Sequence, residues 1–377
     1  MLARNFSRRV FLRLPTYSAS EKLNWLIGFT RIGLFSITYI LTGSLDLFRG
    51  SLIVEERAIA CDVLVLALGS RANDFGTLGV AQHCHFIDSQ IQAEAFNATL
   101  RAKVTRAVVQ DEALRVAIVG GGATGVELAA ELSHLLEIAS NYGDPAVRGR
   151  LELTLLESGS RLLSAFPPAI SASTEELLRK IGFQVQTGKR VTAAASEGLT
   201  CDDGSAVPAD LMVWAAGVKA PDFLTGIDGL ETNRSHQVIV RPTLQAIEED
   251  RIFALGDCAS LQLPESDRPL PPTAQVATQQ AMHLARHLPR WLKGERLPDF
   301  GFRDYGSLVS LGDYNAFGTL GRYGLFRGGF IQGRFAQFSH AMLYRRHQQA
   351  LHGLPKATML WLAERINGIV QPRIRMS

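Results

Sequence analysis

The fold is decided by the stretch LRVAIVGGGATGVELAAEL, residues 114–132. Its apolar residues 115–119 predict a buried parallel strand. Gly120, Gly122 and Gly125 follow with G-x-G-x-x-G spacing. In that pattern the first glycine permits a tight turn, the second lets the backbone approach a pyrophosphate, and the third lets the next helix pack on the strand. The helix would direct its N-terminal amides at the phosphates, so the stretch predicts a dinucleotide-binding unit.

The residues that follow complete a nucleotide-binding domain. A second apolar strand at 151–158 carries Glu157 at its end, where a carboxylate can accept hydrogen bonds from the adenine ribose hydroxyls. A carboxylate there would repel a 2′-phosphate, which favours NAD over NADP. A later strand at 210–218 ends in small residues, among them Gly217, where a nucleotide can lie close to the backbone. Together these features favour a nucleotide domain over an ordinary α/β core.

Two other strands end in small residues in a similar manner. Residues 62–70 close on Gly69, and residues 251–259 contain Gly256 and Asp257. The Asp257 carboxylate is placed to accept a hydrogen bond from a ribitol hydroxyl. A turn-forming Gly-Asp pair is the alternative interpretation.

A helix is predicted from PPTAQVATQQAMHLARHL, residues 271–288. Its N-terminus would stabilise the negative charge of a reduced isoalloxazine ring. Gln275 and Gln279 lie one turn apart on one face, and neutral amides of this kind can orient a quinone carbonyl. Surface glutamines without a ligand are the alternative.

The chain resembles the type II NADH dehydrogenases, which are single-subunit NADH:quinone oxidoreductases that pump no protons. The resemblance lies in five blocks in the family's order: VLVLALGSRANDFGTLGV, VAIVGGGATGVELAAEL, ALGDCA, PPTAQVATQQA and YGSLVSLGDYNAFGTL. It runs from about residue 60 to the C-terminus. It implies two dinucleotide domains and a membrane-binding tail, with a hydride passing from NADH to FAD and the reduced flavin reducing a membrane quinone.

The resemblance also implies roles for single residues. Gly120, Gly122, Gly125 and Glu157 would hold NADH, Asp257 would hold FAD, and Gln275 and Gln279 would line the quinone site. Glu127 matches a family glutamate near the flavin that is implicated in proton delivery. A buried carboxyl with a raised pKa can pass on protons, which makes that role physically reasonable. A helix-surface glutamate is the alternative for Glu127.

Both ends of the chain are basic and apolar, which suggests contact with an anionic membrane surface. Ordinary solvated surface is the alternative for either end alone. In the tail, apolar residues recur at helical spacing close to Trp361: Met359, Leu362, Ile366 and Ile369. The pattern predicts an interfacial anchor. The resemblance to the type II NADH dehydrogenases implies a peripheral enzyme on the cytoplasmic side of the cell membrane. A core helix or a homodimer contact is the alternative.

Residues 25–43 are nearly long enough to cross a bilayer. Arg31, near their middle, would cost about 2.5–3.5 kcal/mol there, so a span is only weakly indicated. A signal anchor or ordinary core sequence is the alternative.

The net charge of +3 gives no reason to expect a nucleic-acid partner. Cys61, Cys84, Cys201 and Cys258 are far apart in the sequence, so the chain offers neither a CxxC redox pair nor a metal-binding cluster. Each cysteine is predicted to be a small buried residue.

The family's first glycine turn, which holds the FAD pyrophosphate, has no counterpart ahead of Cys61. We therefore expect the family's opening segment to be absent and FAD binding to be weak or lost, because the flavin sheet would lack its central strand. The predicted segments are 1–45 (atypical N-terminal segment), 46–110 (remnant of the FAD domain), 111–230 (NADH domain), 231–335 (return of the FAD domain with the quinone-site helix) and 336–377 (membrane-anchoring helices).

The predicted fold class is α/β, with two Rossmann-like dinucleotide-binding domains, the first incomplete, and a C-terminal amphipathic helical tail that anchors to the membrane. Three functions compete. The first is an NADH:quinone oxidoreductase with NADH, a membrane quinone and the lipid surface as partners. The second is a truncated NAD-binding remnant without catalysis. The third is another two-nucleotide flavoprotein, such as a ferredoxin reductase relative, against which the glutamine helix and basic tail argue.

Overall fold

The computed structural model describes residues 45–46, 51–54, 57–60, 62–142, 149–227, 229–311, 315–320 and 330–332, and in the C-terminal region 342, 345, 349, 353–363 and 365–366. The chain divides into two units. Unit 1 comprises the described residues up to Arg71 together with Val218–Arg303, and unit 2 comprises Ala72–Gly217 together with the described residues from Asp304 onward.

The strands, in chain order, are β1 (Leu45–Asp46), β2 (Ser51–Val54), β3 (Arg57–Ala60), β4 (Leu64–Leu66), β5 (Arg71–Ala72), β6 (Leu114–Val119), β7 (Leu151–Glu157), β8 (Phe183–Thr187), β9 (Val191–Ala195), β10 (Gly198–Cys201), β11 (Ala206–Pro208), β12 (Leu211–Trp214), β13 (Val218–Lys219), β14 (Val238–Ile239), β15 (Ile252–Ala254), β16 (Ala259–Ser260), β17 (Gly306–Leu311), β18 (Asn315–Leu320) and β19 (Phe330–Gln332). The α-helices are α1 (Val80–His83), α2 (Gln90–Gln110), α3 (Ala123–Tyr142), α4 (Pro168–Lys180) and α5 (Ala274–Trp291). Residues 353–363 are also helical.

Unit 2 is built around a parallel sheet in the order β12-β6-β7-β8. Helix α3 connects β6 to β7, and α4 connects β7 to β8. Between β8 and β12 the chain forms the antiparallel sheet β11-β10-β9. Counted from β6, the strands have the order 4-1-2-3, which is half of a doubly wound dinucleotide-binding fold. The carboxyl ends of β6, β7 and β12 therefore lie at one edge, where such folds bind their ligands.

The two faces of this sheet are covered differently because successive side chains of a strand point to opposite sides. On one face Val116 and Ile118 pack with α2, α3 and α4 and with the buried Val309 and Leu311 of β17. On the other face Ala117 packs against the antiparallel sheet and α1. Because both faces are covered, β6 is almost continuously apolar, which is the pattern that predicted a buried strand.

Unit 2 begins at Ala72, whereas the NADH domain predicted from the sequence began at residue 111. Helix α2 begins with a capping box between Ser89 and Gln92 and buries Phe96, Leu100 and Ala107 in the core of unit 2. Residues 72–110 therefore belong with the nucleotide sheet, whereas the sequence placed them with the FAD domain. The apolar residues of α2 are hardly separated onto one face, so the sequence did not predict which part of the chain this helix packs against.

Unit 1 contains the parallel pair β15–β4 and the parallel pair β14–β16, together with the antiparallel sheet β1-β2-β3. Its core gathers around Phe253, whose ring lies edge-on to Trp291 with centroids 5.5 Å apart. Helix α5 is capped by Thr273, whose side chain accepts a hydrogen bond from the Val276 amide. The helix predicted over 271–288 is thus confirmed, with its start at Ala274.

Several other sequence predictions can be placed. Cys84, Cys201 and Cys258 are buried and free, as predicted, while Cys61 lies outside the described residues. Burial raises the pKa of the Cys84 thiol to about 12, so it is protonated at neutral pH. The apolar run 25–43 and Ile369 also lie outside the described residues. Among the helices that are described, none has both the length and the apolar character needed to span a bilayer.

Candidate functional site

The glycine turn after β6 is packed so closely that it requires glycine at two points. Gly120 has a φ of +116°, and a Cβ there would lie 2.6 Å from the carbonyl oxygen of Ala215, just after β12. A Cβ on Gly125 would lie 1.9 Å from the carbonyl oxygen of Gly120. The first contact holds the turn against β12, and the second holds α3 against the turn, as the spacing predicted.

Gly122 is different, because a Cβ there would meet no described atom within 4 Å. The residue is exposed, as are Ala123 and Thr124 in the first turn of α3. The open space therefore lies at the N-terminus of a long helix, where unpaired amides and the positive dipole end favour an anion. The fold therefore does not need glycine at 122 for its own packing.

Glu157 is the last residue of β7 and faces this turn. Its Oε2 accepts a hydrogen bond from the Gly121 amide at 2.6 Å, and its Oε1 accepts one from the Gly159 amide at 2.6 Å. Oε1 also accepts a hydrogen bond from the Ser158 hydroxyl at 3.3 Å, so Oε2 is the oxygen that keeps a lone pair for a sugar hydroxyl. A Cβ on Gly121 would lie 2.9 Å from Oε2. The sequence pattern gave no role to Gly121, but glycine is needed there because a side chain would clash with Glu157.

The end of β12 lies beside the glycine turn in unit 2. Gly217 has a φ of +67°, and a Cβ there would lie 2.7 Å from Cζ of Phe75. The loop that carries Phe75 is tied to the strand, since the indole Nε1 of Trp214 donates to the carbonyl of Asn73 at 2.8 Å. The Phe75 ring is 65% exposed and sits on Gly217. No periodic pattern in the sequence distinguished Phe75, because it lies in an irregular loop.

Glu127 lies on the second turn of α3 in unit 2 and is half-buried. It follows the glycine turn directly, so its backbone is positioned by the same contacts. Its predicted part in proton delivery remains a prediction.

In unit 1 the parallel strands β4 and β15 bring two predicted segments together. The Leu255 amide donates to the carbonyl of Leu66, and the hydroxyl of Ser70 donates to Oδ2 of Asp257 at 2.8 Å. The backbone carbonyl of Asp257 accepts from Nε2 of Gln237 at 2.9 Å. Asp257 is therefore held at the carboxyl edge of the strand pair by residues from two distant parts of the chain.

Beneath this edge lies Cys258, which is fully buried. Its Sγ accepts a hydrogen bond from the Leu68 amide at 3.3 Å and lies 3.3 Å from the carbonyl oxygen of Leu255. Burial raises the pKa of this thiol. It therefore acts as a small neutral residue that joins the two strand ends, and not as a nucleophile.

Glycines 69 and 256 bound the same edge. Both have left-handed backbone conformations, with φ of +65° and +71°. A Cβ on Gly69 would meet no described atom within 4 Å, whereas one on Gly256 would lie 3.3 Å from Cβ of Ala277 on α5. The Gly256 amide donates to Oε1 of Gln280 at 2.7 Å. The turn at 256–258 is thus attached to α5 by a hydrogen bond and lies close to Ala277.

Gln275 and Gln279 lie together on α5, as their spacing predicted, with Nε2 of Gln279 3.5 Å from Oε1 of Gln275. Gln279 also forms two hydrogen bonds with the backbone of Arg303. Its Nε2 donates to the carbonyl of Arg303 at 2.8 Å, and its Oε1 accepts from the Arg303 amide at 3.0 Å. Gln279 therefore holds the segment that runs along α5, as does His283, whose Nε2 lies 3.1 Å from the carbonyl oxygen of Pro298.

Comparison with known proteins identifies the family. The model of the pyridine nucleotide-disulphide oxidoreductases matches residues 30–281. A type II NADH:quinone oxidoreductase of Haemophilus influenzae is 39% identical over 350 residues, which cover 87% of this chain and 78% of the relative. The chain belongs to the type II NADH:quinone oxidoreductases.

Solved structures agree on the fold of this type II oxidoreductase. NDH2 from Plasmodium falciparum in complex with NADH superposes with a TM-score of 0.73 at 20% identity, over 86% of this chain and 82% of that one. An FAD-dependent pyridine nucleotide-disulphide oxidoreductase from Desulfovibrio vulgaris gives 0.52 at 24% identity, over 74% and 66%. The predicted family and its α/β dinucleotide-binding fold are confirmed.

Sequence reasoning about this oxidoreductase missed residues that orient others. Ser70, Gln237 and Gln280 hold the turn of Asp257, and their partners lie far away in sequence. A single sequence contains no signal for such pairings, except that Gln280 interrupts the apolar face of a predicted helix.

The glycine turn yields a prediction about stability. Gly125→Ala places a methyl group against the Gly120 carbonyl and should lower the free energy of unfolding by about 1–3 kcal/mol. Gly122→Ala is the matched control, because its methyl group enters open space and should leave the stability within about 0.5 kcal/mol of wild type. Urea unfolding of both variants measures the difference. Equal losses of stability in the two variants would contradict the packing described here.

Proposed function

We propose that this chain oxidises NADH and reduces a quinone, with FAD as the redox group, so that NADH, a proton and a quinone become NAD⁺ and a quinol. The observation that carries the proposal is the 39% identity to a type II NADH:quinone oxidoreductase over 87% of the chain. FAD, when bound, accepts the hydride and passes two electrons on. The chain's own residues bind and orient the reactants.

In unit 2, NADH fits the crevice at the carboxyl edge of the sheet. The space at Gly122 and the amides of α3 suit the pyrophosphate, with Gly120 and Gly125 giving the turn its shape. The carboxylate of Glu157, oriented by two backbone amides, suits the hydroxyls of the adenine ribose. Gly217, where β12 ends, is covered by the Phe75 ring, so we propose it as a neighbour of the dinucleotide and not as open space for the ligand.

In unit 1, FAD fits the edge formed by β4 and β15. Asp257 offers carboxylate acceptors at a strand end, and the glycines at 69 and 256 let a ligand approach the backbone. A Cβ on Gly69 would meet no described atom within 4 Å, so the edge is open at this point.

Gln275, with Gln279 beside it, would orient a quinone carbonyl, because a neutral amide can donate a hydrogen bond to that oxygen. The oxygen and the nitrogen of the Gln279 amide are each bonded to the backbone of Arg303, so we assign the direct contact to Gln275 and the support to Gln279. Glu127 would deliver the proton that quinone reduction consumes.

The purified chain tests the proposal without any substitution. After reconstitution with FAD we expect about one flavin per chain by absorbance, and NADH oxidation that depends on added quinone. The same preparation examines the sequence-based expectation of weak flavin binding. A chain that binds NADH but neither retains flavin nor turns over would contradict the proposal and favour the non-catalytic remnant.

We also propose that the C-terminal helix docks on the cytoplasmic face of the cell membrane. Ala357 is buried, but the larger apolar side chains that are described are exposed: Leu354, Met359, Leu360, Trp361, Leu362 and Ile366. Arg365 lies 5.7 Å from the Trp361 ring, and Lys356 is exposed as well. Exposed apolar and basic side chains on one short helix suit an anionic lipid surface.

Co-sedimentation with vesicles tests this docking. The protein should bind vesicles rich in anionic lipid, and the double substitution Met359→Asp, Leu362→Asp should abolish binding. Ile91→Asp, at an equally exposed apolar residue of α2, is the control and should bind like wild type. Unchanged vesicle binding by the double variant would contradict the docking, and a lipid-free dimer that the double variant loses would assign the helix to a homodimer contact.

A further inference from the structure

The geometry points to Gln280 as a positioning residue that holds the flavin-binding turn in place and sets its distance from the quinone-side glutamines. The inference rests on the proposed function and adds a residue to it. Gln280 is 1% exposed, and its Oε1 accepts a hydrogen bond from the Gly256 amide at 2.7 Å.

A polar residue is out of place at this position of α5. Val276, Gln280 and Leu284 are each one turn apart and form the buried face of the helix. Burying an amide costs free energy unless its polar atoms are bonded, so an apolar residue would serve packing alone as well or better. The glutamine therefore has a use other than packing, and its hydrogen bond to Gly256 identifies that use.

That hydrogen bond acts on the turn that carries Asp257. The turn approaches α5 so closely that a Cβ on Gly256 would lie 3.3 Å from Ala277, one turn before Gln280. The closeness of Ala277 limits how far the turn can move toward the helix, and the bond from Gln280 limits how far it can move away. The Asp257 carboxylate is then directed by Ser70, at 2.8 Å.

The same helix carries the glutamines assigned to the quinone. Gln279 is the neighbour of Gln280 in sequence and points to a different face, where it binds Arg303. A rigid helix therefore connects the flavin turn, through Gln280, to the quinone-side amides. Loss of the bond should weaken FAD binding and raise the KM for quinone together, while NADH binding in unit 2 stays as it is.

The experiment compares two buried glutamines of unit 1. Gln280→Met keeps the length of the side chain and removes the acceptor. Gln245→Met is the matched control, because Gln245 is also buried and bonded, to Thr243 and Asp250, away from the turn. Gln280→Glu is the rescue, since it keeps an oxygen where Oε1 lies.

We expect Gln280→Met to weaken FAD affinity about tenfold, which corresponds to about 1.4 kcal/mol, and to raise the quinone KM more than it changes kcat. Gln245→Met should lower the thermal midpoint but leave FAD affinity within about twofold, and Gln280→Glu should restore FAD affinity to within about threefold of wild type. NADH affinity should be the same in all four proteins. Flavin fluorescence on titration with FAD, and calorimetry with NADH, provide these values.

Three outcomes would overturn the inference: FAD affinity unchanged in Gln280→Met, equal losses of FAD affinity in the two methionine variants, or no restoration in Gln280→Glu. If Gln280→Met does not fold, Gln280→Asn, which retracts the amide by one methylene, takes its place with the same expected direction. A wild-type chain that takes up no FAD would instead refute the proposed function itself, and the positioning role with it.

Discussion

The nucleotide unit depends on the close approach of backbone to backbone at Gly120 and Gly125. Without side chains at these two positions, the end of β6 can contact the segment after β12, and α3 can begin directly beside the turn. The N-terminus of that helix, the open space at Gly122 and the carboxylate of Glu157 then lie at the same carboxyl edge of the sheet. A methyl group at either contact would push these parts away from each other. Their arrangement therefore depends on glycine at 120 and at 125.

The sequence predicted the strands and the glycine turn of this unit because their signals are local. The apolar run of β6, the glycine spacing and the acid at the end of β7 are each properties of a few neighbouring residues. What it could not predict depends on distant contacts. The support of Asp257 by Ser70 spans 187 positions, and the packing of α2 on the sheet depends on three buried residues that are spread over several turns.

Unit 1 illustrates the limit of motif reasoning more sharply. The one-turn spacing correctly placed Gln275 and Gln279 side by side, yet in the structure Gln279 is bonded to Arg303 and Gln280 accepts a hydrogen bond from the Gly256 amide. A motif records which residues occur together, whereas the bonds they form are decided by the segments that fold against them. The different roles of Gln275, Gln279 and Gln280 can therefore be assigned only when it is known which face of α5 each residue occupies.

The central claim is that the space at Gly122 receives the pyrophosphate of NADH. Calorimetric titration of NADH into wild-type protein and into Gly122→Ala, side by side, tests it most directly. The account predicts saturable binding to wild type and an affinity at least about tenfold lower in the variant, because one methyl group fills the approach to the α3 amides. The absence of heat with wild type, or equal affinities in the two proteins, would contradict it.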